Sequence, residues 1–345
     1  MEKEITTYHK ELTEFVETMP SFPASSFNAT FEYDTGKLIK ILQKKEVFEI
    51  CNTDEEQYDS IDRTDRELGK IVSDLLRETN LDQSLKDYLD IEKKIEDSFS
   101  GNLYMYAKQG ALSVKSLYYY KIKDFPKALT FTLECLVLND YLVQQGIYTL
   151  NLRCFEQNKN ISRIYFRDHQ EESGHQLIFN LINYLLNGVN ENLYGNIFSH
   201  NQYWMKVPII RETYSYELFT MITEDMIRFN IHSKEFLPDN WYSGLDFEVN
   251  TPDRQIIYNW IYINKQLRDS NYKDYFQGLM YYFQQSYNQF YDILKISLLL
   301  DLYKFAEKNS SVNPVLTREI IDFMENKLYF NQSIRTLLIK NIFKA

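Results

Sequence analysis

An all-α fold is predicted by three features of this sequence. Glycine and proline are scarce, with ten and seven copies in 345 residues, whereas turn-rich β architectures place glycine at positive φ at many hairpins. Apolar residues recur three and four positions apart through most of the chain, the period of a helix face. The dipeptide that marks hairpins most strongly occurs once, as Asn187-Gly188, where it follows a helical pattern and reads as a helix C-cap.

The elements follow in order. Ile5, Tyr8, Leu12, Phe15, Val16 and Met19 form one face of a helix over 2–19, which Pro20 and Pro23 end. Residues 20–36 concentrate small, polar and turn-forming side chains and read as a loop. Residues 37–50 fit either a helix or a strand. Thr64, with Glu67 three positions on, has the pattern of a capping box ahead of Leu68, Ile71, Leu75 and Leu76, so a helix is expected to begin there and run to 80. Helices continue over 81–99 and 103–121. In the second, Ala111, Leu112, Val114, Leu117 and Tyr118 occupy overlapping faces, which marks it as buried.

Asp124 and Pro126 have the chemistry of a helix start, and that helix is expected to reach about Asn139. Further helices are predicted over 140–157, 170–187, 208–230, 253–268, 274–308, 314–327 and 331–343. Asn313-Pro314 and Thr251-Pro252-Asp253 mark two of their starts. Tyr272, Tyr275, Leu279, Tyr282, Phe283, Tyr287, Phe290 and Tyr291 give the 274–308 segment a broad aromatic face, as expected of a central element. Residues 232–252 are polar, turn-rich and without periodicity. The expected organisation is an acidic helical region over 1–100, a helical-hairpin region over 101–231, a loop over 232–252 and a carboxy-terminal helical region over 253–345 packed on the rest.

Residues 112–140 resemble a tetratricopeptide-type hairpin. Leu112, Ser116 and Tyr119 stand where the first helix of that family carries a large residue, a small one and an aromatic; Lys123-Asp124-Phe125 supplies the turn, and Ala128 and Cys135 the small positions of the second helix. Lys115, Thr132 and Asp140 depart from the pattern, and a shift of about 34 residues in either direction finds no second copy. The resemblance covers about a tenth of the chain. It implies an α-solenoid-like array of antiparallel helical hairpins with degenerate repeats, a scaffold that works through its exterior.

Composition narrows the function classes. The chain is 44% hydrophobic and 16% aromatic, enough to build a large core. Its first residues alternate charge where a secretory signal needs an apolar stretch, and its apolar runs fall far short of the roughly 20 residues needed to cross a bilayer. Three widely spaced cysteines, Cys51, Cys135 and Cys154, argue against a disulfide framework and for a reducing, cytoplasmic setting. Net charge is −11, and all of the excess lies in residues 1–100, which hold 24 acidic and 13 basic side chains against 25 of each in the remainder. Such a surface repels phosphate backbones, which argues against nucleic-acid binding and for a basic protein partner. The acidic residues Asp54, Glu55, Glu56, Asp59, Asp62, Asp65 and Glu67 are the expected docking surface; they lack the central glycine of a calcium loop.

Enzymatic chemistry finds little material. No Gly-rich phosphate loop, Gly-x-Ser-x-Gly elbow or His-Glu-x-x-His pair occurs. One cluster, Asp168, His169, Glu171, Glu172 and His175, could place His169, Glu172 and His175 on one sector of a helix as metal ligands. A di-iron bundle would need a second Glu-x-x-His element, and only Glu172 to His175 fits. The expectation is therefore a non-catalytic interaction module without a cofactor, in its most specific form a bacterial immunity-type protein that neutralises a cognate toxin. A scaffold or regulatory adaptor accounts for the same features, and a metal-dependent helical enzyme is the alternative class.

Overall fold

The computed structural model describes residues 2–24, 31–188, 192–195, 208–229, 232, 252–308, 314–329 and 332–341. Among them the chain is all-helical, with no β-strand. The helices are α1 Glu2–Thr18, α2 Phe31–Cys51, α3 Glu55–Arg77, α4 Leu81–Ser98, α5 Gly101–Lys121, α6 Phe125–Gln145, α7 Asn151–Arg167, α8 Glu171–Asn187, α9 Pro208–Phe229, α10 Pro252–Arg268, α11 Tyr272–Gln284, α12 Asp292–Lys308, α13 Pro314–Lys327 and α14 Gln332–Asn341.

Four boundaries differ from those expected. Helix α2 settles the helix-or-strand ambiguity at 37–50 and begins at Phe31, inside the stretch expected to be loop. Helix α3 begins nine residues before Thr64, because a capping box forms at Asp54: its carboxylate accepts from Gln57 N at 2.8 Å, and Gln57 Oε1 accepts from Asp54 N at 3.3 Å. Thr64 is buried in mid-helix and its hydroxyl donates back to Ser60 O at 3.0 Å. Helix α6 continues past Asn139 to Gln145 and stops at Gly146, whose φ of 116° favours glycine and where a Cβ would come within 2.9 Å of Ile50. The segment 274–308 is two helices, divided where the side chain of Asn288 caps a single 3-10 turn, Gln289–Tyr291. The expected loop at 232–252 lies outside the described residues apart from its two ends.

The chain divides into two compact units, and neither follows the boundaries read from sequence. One comprises Thr30–Tyr184 and Gly188–Lys206; the other comprises Met1–Ala29, Leu185–Asn187 and Val207–Ala345. In the first, the antiparallel pair α5/α6 is central. Its register is fixed by Cys135 Sγ donating to Gln109 O at 3.2 Å, by the Ser116 and Thr132 hydroxyls 2.6 Å apart, and by Tyr119 stacked on Phe131. Ala128 is fully buried at the crossing, as close helix approach requires of a small residue. Lys115, which departs from the family pattern, pairs with Glu92 of α4 at 3.2 Å and lies 4.8 Å over the Phe131 ring. Helices α3 and α4 pack on α5, and α7 packs on α6. Helix α2 is tied in by Glu46, which accepts from both the backbone and hydroxyl of Thr149 at 2.9 and 2.6 Å.

In the second unit α1 is held by rings rather than by sequence proximity. Phe15 and Phe22 meet Phe283 of α11 at 5.5 and 5.7 Å, and Phe22 and Phe283 both meet Phe323 of α13. Such contacts bury large apolar areas with edge-to-face geometry, which is why the first residues belong with the last. Helix α12 is buried from Asp292 to Leu302 and half-buried at Tyr303 and Phe305, and α9, α10 and α13 pack on it.

Candidate functional site

Helix α7 places several charged side chains in a concave site. Arg153, Glu156, Asn160 and Arg163 recur at spacings of three and four, so they share one face. That face, with Val72 and Leu76 of α3 and Ser113, Ser116, Leu117 and Tyr120 of α5, lines a cleft of about 300 Å³. The two serines leave room where larger side chains would fill it, and both are engaged: Gln157 donates to Ser113 Oγ at 3.2 Å, and Ser116 donates to Ala128 O at 2.9 Å. At the far end Arg167 Nε donates to the Tyr120 hydroxyl at 3.2 Å. Leu76 is 61% exposed at the rim.

The electrostatics are mixed. Arg153 Nη1 meets Glu156 Oε2 at 2.8 Å. Burial pushes the Glu156 carboxyl up, but Arg153, Lys159 and Arg163 outweigh it and hold the group below its ordinary range. Asp65 of α3 lies over Gly110 of α5, and burial pushes its carboxyl up to about 6 against the opposing pull of Arg153. Cleft and acidic helix thus meet at Asp65 and Arg153.

The acidic residues of the docking surface expected from sequence have different surroundings in the structure. Asp54 is spent as the cap of α3. Glu55 pairs with Lys44 at 3.0 Å, Asp62 with Arg66 at 2.9 Å and Glu67 with Lys94 at 2.9 Å. Glu56 and Asp59 are exposed and make no ion pair among the described residues. Counting acids along the chain showed the charge but not the lysines that other helices bring to it.

The metal constellation is not assembled. His169 sits in the α7–α8 connection with φ 57°, off the helix that was to align it with Glu172. Asp168 closes α7, Ser162 is buried inside α7 with its hydroxyl on Lys159 O, and Glu171 and Glu172 occupy the first turn of α8. His175 stands edge-on to the Phe166 ring at 5.1 Å. No group of three or more His, Cys, Asp or Glu residues poised for a metal occurs among the described residues. All three cysteines are free thiols, and burial pushes Cys51 up to about 11 and Cys135 up to about 12, far from a nucleophilic thiolate.

The α7 stripe escaped the sequence reading because the helix break was placed near residue 140, which cut the run from Arg153 to Arg167 at residue 157. Gly146 is the signal that restores it. No helix among the described residues is long and apolar enough to cross a membrane. Compared with protein families, curated proteins and solved structures, the chain matches none.

Proposed function

We propose that the chain is a non-catalytic helical binding module that recognises a protein partner through the unit containing α2–α7. The observation that supports this most is the mixed-charge cleft of α7, with Arg153, Glu156, Lys159 and Arg163 in its wall and the Asp65 carboxyl of α3 within the field of Arg153. Surfaces of alternating sign select a partner and speed its encounter more than they add affinity, because each charge placed opposite its like is penalised. On this reading α3–α7 form a short array of hairpins of tetratricopeptide type, with the α5/α6 pair as its best-formed unit. The partner presents basic groups to Glu56 and Asp59 and places a polar segment in the cleft. The most specific form is an immunity-type inhibitor of a cognate toxin; an adaptor uses the same surface.

Cross-linking in the native cell followed by mass spectrometry tests the reading. Cross-links to one partner should cluster on α3, α5 and α7, and binding should weaken at least about tenfold on charge reversal at Asp59 or Arg153 and fall steeply with salt. Affinity indifferent to both substitutions would remove this surface from the mechanism. In the immunity form, co-expression should rescue cells from one toxic protein, and the Arg153→Glu variant should fail to do so.

A further inference from the structure

The other unit holds a second cleft of different character. An open depression of about 380 Å³ lies between Pro252, Gln255, Ile256 and Asn259 of α10, Tyr281 of α11 and the connection 285–288, Gln-Ser-Tyr-Asn. Apart from the phenols of its two tyrosines, none of the lining side chains is ionisable. Its polar groups are amides and hydroxyls, set beside an aromatic ring.

The wall is fixed before any ligand arrives. Lys295 Nζ donates to Gln285 O at 3.0 Å from below, and Asn288 is held by Glu212 at 3.2 Å and by Phe290 N at 3.2 Å. Asn259 Oδ1 accepts from Gln255 at 2.7 Å, while its Nδ2 is buried with no hydrogen-bond partner. The Asn259 side chain also bears on the Tyr287 phenol, where it opposes the effect of burial. Burial nevertheless pushes Tyr287 up to about 12, so its hydroxyl keeps its proton and both donates and accepts. Tyr281 is 55% exposed.

These groups select by charge and by hydrogen bonding. An ion would find no opposite charge among the lining residues. An apolar ligand would strip water from several amides and return no hydrogen bonds. A neutral ligand whose every polar group donates and accepts matches amides and phenols alike. The carbon-bound face of a sugar ring is the complement of an exposed phenol ring, apolar on its surface and polar at its edge. We infer that this cleft binds a neutral saccharide. The inference uses no residue of the α3/α5/α7 surface and stands or falls apart from it.

Saturation-transfer NMR on the full chain with a panel of neutral di- and trisaccharides tests it. The expected result is transfer to ring C–H protons of at least one sugar at millimolar concentration, with binding about tenfold weaker in Tyr281→Ala and in Asn259→Ala. Tyr281 is exposed, so its variant should keep the parent melting temperature, which separates lost binding from lost fold. Absence of transfer from every sugar would overturn the assignment. So would a signal unchanged in Tyr281→Ala, or equal binding of N-acetylglycinamide, which would make the cleft an amide site.

Discussion

The α5/α6 hairpin and helix α12 solve the same problem, a helix buried among others, by opposite means. In the hairpin the polar contacts are short in sequence: Ser116 reaches Ala128 and Thr132, and Cys135 reaches Gln109. Each joins one helix to its immediate neighbour. Helix α12 carries Asp292, Lys295, Ser297, Asp301 and Lys304, all buried, and sends each to a different place. Asp292 accepts from Tyr329 N at 2.8 Å, Lys295 donates to Gln285 O, and Ser297 accepts from Trp260 Nε1 at 2.8 Å. Asp301 meets His232 Nδ1 at 3.0 Å, and Lys304 donates to Met226 O at 3.2 Å. An apolar helix could rotate or slide among apolar neighbours at small cost, whereas five polar tethers at five heights allow one register. The hairpin needs no such device because its loop and its small residues already set the register.

The largest expected effect tests whether those tethers matter. Asp292→Ala removes the acceptor of Tyr329 N and the opposite charge that favours the protonated form of Lys295. A buried charge that loses its partner typically lowers stability by about 3–5 kcal/mol, and the loss should appear in urea unfolding together with faster hydrogen exchange along α12. A loss under about 1 kcal/mol would mean that burial alone positions the helix. Ser116→Ala combined with Thr132→Val should show a coupling of about 0.5–1.5 kcal/mol in a double-mutant cycle. That is smaller because Thr132 has an alternative acceptor in its own helix, Ala128 O at 2.8 Å, to which its one proton turns when Ser116 is removed. If the hairpin pair proved the more costly to break, the contrast between the two regions would be reversed.

The same contrast decides what could be read in advance. The start of α6 was legible because local chemistry determines it: Asp124 caps the helix through Lys127 N at 3.3 Å, with Pro126 in its first turn. The α11–α12 break was not legible, because Tyr282, Phe283, Tyr287, Phe290 and Tyr291 keep a helix-like apolar spacing across it. No glycine or proline interrupts 279–313 to announce it. The capping box at Asp54 and the one suggested at Thr64 have equivalent sequence patterns, and only the buried Ile61 between them shows which begins the helix. Nor could the acidic cluster disclose its own neutralisation, since Lys44 and Lys94 come from other helices. Function was the least legible, because clefts arise where helices distant in sequence leave room, as Ser113 and Ser116 do opposite α7.

The smallest expected effect lies where the candidate surface meets the fold. The Asp65 carboxyl is pushed up to about 6 by burial, so the folded state favours its protonated form relative to the unfolded chain. The favourable contribution is therefore complete below the unfolded value near 3.8, and it is lost as pH rises through about 6. At neutral pH the charged carboxylate opposes folding, and Asp65→Asn should stabilise the protein there. The gain should stay under about 1 kcal/mol, because the residue is exposed and solvent screens it. Thermal melting of the two proteins at pH 8 and pH 3.5 gives the check: the variant should melt higher at the first and alike at the second. A variant that melted lower at pH 8 would show that attraction to Arg153 outweighs burial. Asp65 would then be a structural counter-ion of α7 rather than a charge held in place at a folding cost, which is the state expected of a residue that serves a partner.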